Sequence, residues 1–108
     1  MPIPADTKAA LGAEEATQLA EIFHLLGDAN RLRLVHACLH EAISVQDLAG
    51  RFHLSPSLVS HHLRLLRAAR LMRAERRGKR VFYTAADEHV RTVLEDMTAH
   101  LQEHPEDE

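Results

Sequence analysis

The dipeptide Ser55-Pro56 is the feature that most constrains the fold of this chain. A serine can cap a helix N-terminus, and a proline at the first helical position gives up an N–H that would be unpaired anyway. A little upstream, Ser44-x-x-Asp47 resembles a capping box for a short helix ending near Phe52. Two helices over 44–52 and 55–69, separated by a short break, predict a helix-turn-helix.

The segments on either side of this pair complete the predicted architecture. Met72–Arg76 and Arg80–Thr84 flank Arg77-Gly78-Lys79, which predicts a β-hairpin. A helix-turn-helix followed by a hairpin indicates a winged helix, mainly α with one small β-hairpin. We expect further helices over Glu14–Leu26, after an Asp28 cap, and from an Asp87 cap to about Glu103. The predicted organisation is a flexible arm (1–12), one winged helix-turn-helix domain (13–104) and a frayed tail (105–108).

Composition excludes several classes of protein. The chain has 108 residues, enough for one domain. No apolar run approaches the ~18 residues of a membrane span, and the N-terminus does not resemble a signal peptide, so we expect a cytoplasmic protein without a membrane partner. The single cysteine excludes an intrachain disulfide and a cysteine-rich zinc cluster, whereas nine histidines are many for this length.

Charge is unevenly distributed along the chain. Residues 64–80 hold seven arginines and one lysine against the single acid Glu75, whereas residues 87–108 hold eight acids against Arg91. A basic stripe followed by an acidic segment indicates a nucleic-acid face on one element and another role for the C-terminal element. The stripe predicts double-stranded DNA as a partner, although a merely solvated helix face has the same composition.

The predicted helix 55–69 has two distinct faces. Val59, Leu63 and Leu66 share the inward face, and we expect His62 to lean toward it. The opposite face is rich in short hydroxyls, which favours close approach to DNA over a plain amphipathic surface helix. The predicted DNA contacts are Ser55, Ser57, Ser60, His61, Arg64 and Arg67 on the helix and Arg76, Arg77, Lys79 and Arg80 on the hairpin.

A second pattern, Asp87-x-His89-x10-His100-x-x-Glu103, places four metal-ligand side chains on the last helix. Two imidazoles and two carboxylates suit zinc. His89 and His100 share a helix face but lie about 16 Å apart along the axis, so one helix cannot place both on one ion. An antiparallel second copy can, with the two-fold axis near Leu94 and Glu95. Spacing alone also allows a plainer reading, a dimer helix with a polar rim and Asp87 as a simple cap.

Both patterns carry a resemblance to a known family. Over residues 14–104 the chain resembles the ArsR/SmtB family of metal-sensing winged-helix repressors. The stretch Leu54-Ser-Pro-Ser-Leu-Val-Ser-His-His-Leu63 is similar to the family's recognition helix, and the Asp87–Glu103 pattern is similar to that of its zinc sensors. The resemblance implies a homodimer whose apo form binds an inverted-repeat operator and releases it when metal binds across the C-terminal helices. It also implies a connection from His100 to the end of the recognition helix, around Arg70, and no enzymatic activity.

The choice of metal stays partly open at the sequence level. Relatives that sense soft metals often carry Cys-x-Cys where this chain has Ser44 and Gln46, which leaves harder N/O ligation. Zinc is favoured, with cobalt as an alternative. His104, one turn beyond His100, would raise the ligand count and suit nickel. His36 and His40 form a further i, i+4 pair that we interpret as surface residues, and a winged-helix regulator of a non-metal signal remains an alternative.

Overall fold

The computed structural model describes residues 10–103 of the chain. The predicted arm is therefore described only from residue 10 onward, and both His104 and the tail 105–108 lie outside the described residues. The elements in chain order are α1 (Ala13–Leu26), α2 (Ala29–Ala37), β1 (Ile43–Ser44), α3 (Val45–Phe52), α4 (Pro56–Ala68), β2 (Met72–Arg77), β3 (Arg80–Ala85) and α5 (Glu88–Glu103).

The helices begin where the sequence places their caps. Asp28 accepts a hydrogen bond from the N–H of Arg31 at 3.0 Å, and Ser44 and Ser55 accept equivalent bonds at 3.1 Å. Asp87 accepts one from the N–H of Val90 at 3.1 Å. Each cap satisfies an N–H that the first turn of a helix leaves without a partner, which confirms all four predicted helix starts.

The sheet has one more strand than the sequence predicted. β2 and β3 form the expected antiparallel hairpin, with Met72 opposite Ala85 and Arg77 opposite Arg80. The two-residue strand β1 pairs with the other edge of β3, so the order is β1-β3-β2. The hairpin base is tied to the end of α2, because the carbonyl of Cys38 accepts bonds from the N–H of Ala85 and the hydroxyl of Thr84.

The core lies between α2, α3, α4 and the sheet. Its largest fully buried side chains include Leu34, Leu48, Leu63 and Leu66. Leu32 is 39% exposed, while Leu34 is fully buried. The two leucines are two residues apart and so lie on different sides of α2, and packing of α2 against α4 buries the side that carries Leu34.

Two side-chain contacts join the last helix to the turn between α2 and β1, and Leu94 packs into the core. Arg91 donates from Nε to the carbonyl of Leu39 at 2.7 Å, and Nε2 of His40 is hydrogen-bonded to Glu95. His36 and His40 are both exposed, as predicted, although α2 ends at Ala37 and His40 turns toward α5. None of the helices in residues 10–103 is both long and apolar enough to span a membrane.

Candidate nucleic-acid interface and metal centre

The helix α4 presents the two faces predicted from its sequence. Val59, Leu63 and Leu66 are fully buried, whereas Ser57, His61 and Arg64 are exposed and Ser60 is half-buried. The exposed set recurs at helical spacing, so it forms one surface strip on the side of α4 opposite the core. Arg67 is also exposed and continues this strip toward the end of the helix.

Ser55 has a structural role in addition to any contact with DNA. Its Oγ accepts the N–H of Leu58 at 3.1 Å and lies 3.4 Å from the Oγ of Ser57. Because capping requires only a lone pair, the hydroxyl proton can still be donated outward. The cap therefore fixes the N-terminal turn of α4, the part of a recognition helix that contacts base edges.

The chain leaves α4 through a tight turn at Arg70. Arg70 has φ 64°, in the left-handed region, and Leu71 donates its N–H to the carbonyl of Leu66 at 2.9 Å. This bond closes the end of the helix and directs the chain straight into β2. The hairpin is thereby held at a fixed position relative to α4, with the Arg70 side chain exposed.

The hairpin exposes the predicted cationic residues, but not all of them are equivalent. Gly78, with φ 64°, makes the tight connection at the tip, next to Lys79. Arg77 donates to Glu75 at 3.2 Å and its guanidinium lies 4.6 Å from the centre of the Phe82 ring. The hydrogen bond and charge of Arg77 hold the pKa of Glu75 below its usual value. Arg77 is thus preordered along the strand, with Arg76, Lys79 and Arg80 exposed around it.

The four predicted metal ligands are all exposed on α5 or at its N-cap. The Oδ1 of Asp87 is the acceptor of the helix cap, so the second carboxylate oxygen is the one suited to a metal. Because Glu88–Glu103 is a single helix, about 16 Å of helix axis separates His89 from His100. Within residues 10–103 of one protomer, no three His, Cys, Asp or Glu side chains cluster as a metal site. One protomer therefore cannot bring all four predicted ligands to one ion.

The predicted ligands Asp87 and His89 lie near the end of α4. Asp87 and His89 line an open groove of about 610 Å³ together with Arg70 and the α1 residues Gln18 and Glu21. We call this the α1–α5 groove. It places two predicted metal ligands beside the turn that ends the recognition helix.

Thiol chemistry is disfavoured by the environment of the single cysteine. Cys38 is fully buried, and burial raises the pKa of its thiol to about 12. A buried thiol of this kind is neither a good nucleophile nor a good ligand near neutral pH. Ser44 is also fully buried and uses its Oγ as a helix cap, so neither residue offers a soft-metal site.

Two structural pairs were not found by sequence reasoning. His40 with Glu95 and Arg31 with His62 join residues 55 and 31 positions apart. Helix caps are local and readable from spacing, but a pair of this separation leaves no periodic signal. The related sequence prediction was that His62 lies toward the inward face of α4. It indicated that His62 is buried but did not identify Arg31 as its hydrogen-bond partner.

Comparison with known proteins agrees with this geometry. Residues 28–73 match the family model of the arsR family of bacterial regulatory proteins. The chain is 42% identical over 93 residues to a transcriptional repressor SmtB homolog from a Synechocystis species, covering 86% of this chain and 70% of that protein. It is 31% identical over 94 residues to a cadmium resistance transcriptional regulatory protein CadC homolog from Staphylococcus aureus, covering 86% and 78%.

A solved structure supports the same assignment. The NMR structure of the homodimeric winged helix-turn-helix DNA-binding domain of a possible ArsR-family regulator from Mycobacterium bovis superposes with a TM-score of 0.79 at 26% identity, covering 100% of this chain and 96% of that one. The fold, the capped and basic α4, and the relatives together exclude an enzyme. The chain belongs to the arsR family of bacterial regulatory proteins, the DNA-binding winged-helix regulators of transcription.

Proposed function

We propose that this protein is a metal-responsive repressor whose apo dimer binds an inverted-repeat operator and whose dimer releases DNA when zinc binds between the C-terminal helices. The observation that carries the proposal is the α1–α5 groove, in which Asp87 and His89 lie beside Arg70 at the end of α4. A change at the metal ligands is therefore adjacent to the element proposed to read DNA.

Exposed apolar residues support the dimer. None of the residues of α1 is buried within the protomer, and Phe23 is 57% exposed. On α5, Val93, Met97 and Leu101 are also exposed, the last at 69%. Apolar stripes of this kind on the first and last helices fit burial against a second copy. The homodimeric neighbour from M. bovis supports a dimer as such.

The donor set fits a metal shared between two such copies. In an antiparallel α5 pair, His100 and Glu103 of one protomer would meet Asp87 and His89 of the other at the mouth of the α1–α5 groove. Two imidazoles and two carboxylates suit tetrahedral zinc or cobalt. A bound ion would supply a rigid cross-link between the two helices. The ligands that it joins would then fix the α5 pair, and Arg70 beside them would transmit this constraint to α4.

For DNA to be released, the metal-bound dimer must hold its two α4 helices at a separation that does not match successive major grooves. Linkage then requires DNA to weaken metal binding by the same factor by which metal weakens DNA binding.

Two alternatives differ in the signal rather than in the fold. A nickel or cobalt sensor would use His104 as a further ligand, which the His104→Ala variant tests by losing the nickel response while keeping the zinc response. A non-metal regulator would retain DNA binding but show no effect of metal. A thiol-based signal is disfavoured, because Cys38 is buried and its pKa is raised to about 12.

A cobalt titration tests the metal site directly. We expect visible d–d bands of four-coordinate cobalt that saturate at about two ions per dimer and are bleached by zinc. Weak six-coordinate bands would instead indicate a larger ligand set, with His104 as the candidate. The proposal would be contradicted if added cobalt gave no d–d bands of protein-bound cobalt. It would also be contradicted if calcium displaced cobalt as readily as zinc does.

Mixing two ligand variants tests whether the site spans protomers. His89→Ala and His100→Ala homodimers each lack a ligand in both sites, but their heterodimer contains one intact and one doubly defective site. After equal mixing and exchange we expect about a quarter of the wild-type cobalt absorbance, because half of the dimers carry one of two sites. A site formed within one protomer would give no recovery on mixing.

The hairpin offers a prediction about salt dependence. Arg76→Gln removes one proposed phosphate-contacting cation per protomer and two per dimer, so the slope of log affinity against log salt should fall in magnitude by about 1.8. Glu75→Gln on the same strand releases Arg77 from its carboxylate, so affinity should rise rather than fall. Both side chains of that ion pair are more than half exposed, so DNA phosphates can compete for Arg77. Equal behaviour of the two variants in fluorescence anisotropy at several salt concentrations would contradict this role of the hairpin.

A further inference from the structure

The recognition helix carries two adjacent histidines with opposite environments. His61 is exposed on the outer strip, whereas His62 is only 6% exposed and faces the core beside Val59 and Leu66. A buried imidazole needs a hydrogen-bond partner, and this one finds it on another helix. The Nε of Arg31 donates to the Nδ1 of His62 at 3.1 Å.

The same arginine also holds the end of α1. Its Nη1 donates to the carbonyl of Leu25 at 3.3 Å, and its backbone N–H donates to Asp28 at 3.0 Å. The guanidinium of Arg31 therefore joins the last turn of α1 to the inner face of α4, while its backbone N–H bonds the cap of α2. Because α1 is the helix with no buried residue, this arrangement connects a predicted dimer helix to the recognition helix.

The geometry fixes the protonation state of His62. Its Nδ1 is an acceptor, so the ring is neutral and carries its proton on Nε2. A proton on Nδ1 would remove the bond and set two N–H groups against each other at 3.1 Å. The charged groups that face the ring are Arg31 and Asp28 at the start of α2 and His61 on α4. Burial, Arg31 and His61 lower the pKa of His62, and Asp28 only partly opposes them.

We propose that the Arg31–His62 bond is a positioning contact that holds α4 in its DNA-binding orientation, and that protonation of His62 releases it. Acidification would then weaken operator binding by the apo protein, without any metal. The inference rests on the proposed role of α4 in reading DNA but not on the metal site. Since the neutral ring is favoured in the folded state, its stabilising contribution is present above the unfolded pKa of about 6.5 and is lost as the pH falls toward the lower folded value.

Two asparagine variants provide a matched comparison. In His62→Asn the side-chain oxygen can accept from Arg31 and cannot be protonated; His24→Asn makes the same change at an exposed histidine of α1 outside the predicted DNA contacts. Operator affinity is measured by fluorescence anisotropy from pH 8 to pH 5.5, at constant ionic strength and with a chelator present. Relative to wild type, His62→Asn should gain up to about tenfold in affinity per His62 ring, or about a hundredfold per dimer, for each pH unit below the histidine pKa. His24→Asn should keep the acid-induced loss.

Nitrogen-15 NMR of the imidazole rings gives a readout that needs no DNA. At neutral pH the His62 Nδ1 should appear unprotonated and Nε2 protonated, and Arg31→Gln should raise the His62 pKa because it removes the facing cation. A protonated Nδ1 at neutral pH, or an unchanged pKa in Arg31→Gln, would overturn the proposal. So would parallel pH profiles for wild type and His62→Asn. Failure of the apo protein to bind any DNA, with the NMR results as expected, would instead overturn the proposed function of α4.

Discussion

Replacing His100 by alanine is expected to leave operator binding by the apo protein intact while abolishing its loss on addition of zinc. His100 is exposed near the end of α5, away from the core, so its removal should not disturb the fold. It is nevertheless one of only two imidazoles in the proposed donor set, and each metal site would lose it. Coupling between two binding sites is typically about 1–3 kcal/mol, so wild-type affinity for DNA should fall roughly 5- to 150-fold with zinc.

The measurement uses a labelled duplex selected from a random library by the apo protein, titrated in chelator and then in buffered zinc. His24→Ala, an exposed histidine of α1 outside the proposed donor set, controls for nonspecific effects of removing an imidazole. It should respond to zinc as wild type does. Release of DNA from His100→Ala at the same free zinc as from wild type would show that the metal site is assigned to the wrong residues.

Local sequence signals predicted the helix starts because the interactions are themselves local. Asp28, Ser44, Ser55 and Asp87 each cap an N–H three residues away, and residue type with spacing suffices to recognise them. The two-residue strand β1 was missed for the opposite reason. Ile43 pairs with Tyr83, and so short a strand has no periodicity of its own.

The sequence also did not show which side of α2 packs against the core or which residue His40 contacts. Leu32 and Leu34 lie on different sides of α2, and the approach of α4 to α2 decides that the side with Leu34 is buried. His36 and His40 likewise have the spacing of neighbours on one helix, but α2 ends at Ala37 and His40 contacts Glu95 instead. The proposed metal site is a different case, because its division between protomers could be predicted. The spacing of the ligands along the helix already implied that each protomer contains only half of each proposed site.

Replacing Leu63 by alanine is expected to cause the largest loss of stability among substitutions on α4. Leu63 is fully buried in the core, so the change removes apolar contacts and leaves a cavity. Such substitutions lower the free energy of unfolding by about 2–5 kcal/mol. For a domain of this size the melting temperature should fall by at least about 8 °C.

Leu58→Ala is the matched control, because it is the same substitution in the same helix at a residue that is 39% exposed. It should cost less than about 1 kcal/mol, and both variants are compared with wild type at equal protomer concentration because dimerisation contributes to stability. The difference between them isolates the burial of the inner face of α4. That burial is what sets the rotation of the helix about its axis, so that Ser57, His61 and Arg64 face outward together. Equal losses of stability in the two variants would mean that α4 is rotated differently, and the predicted DNA-reading strip would then be wrong as well.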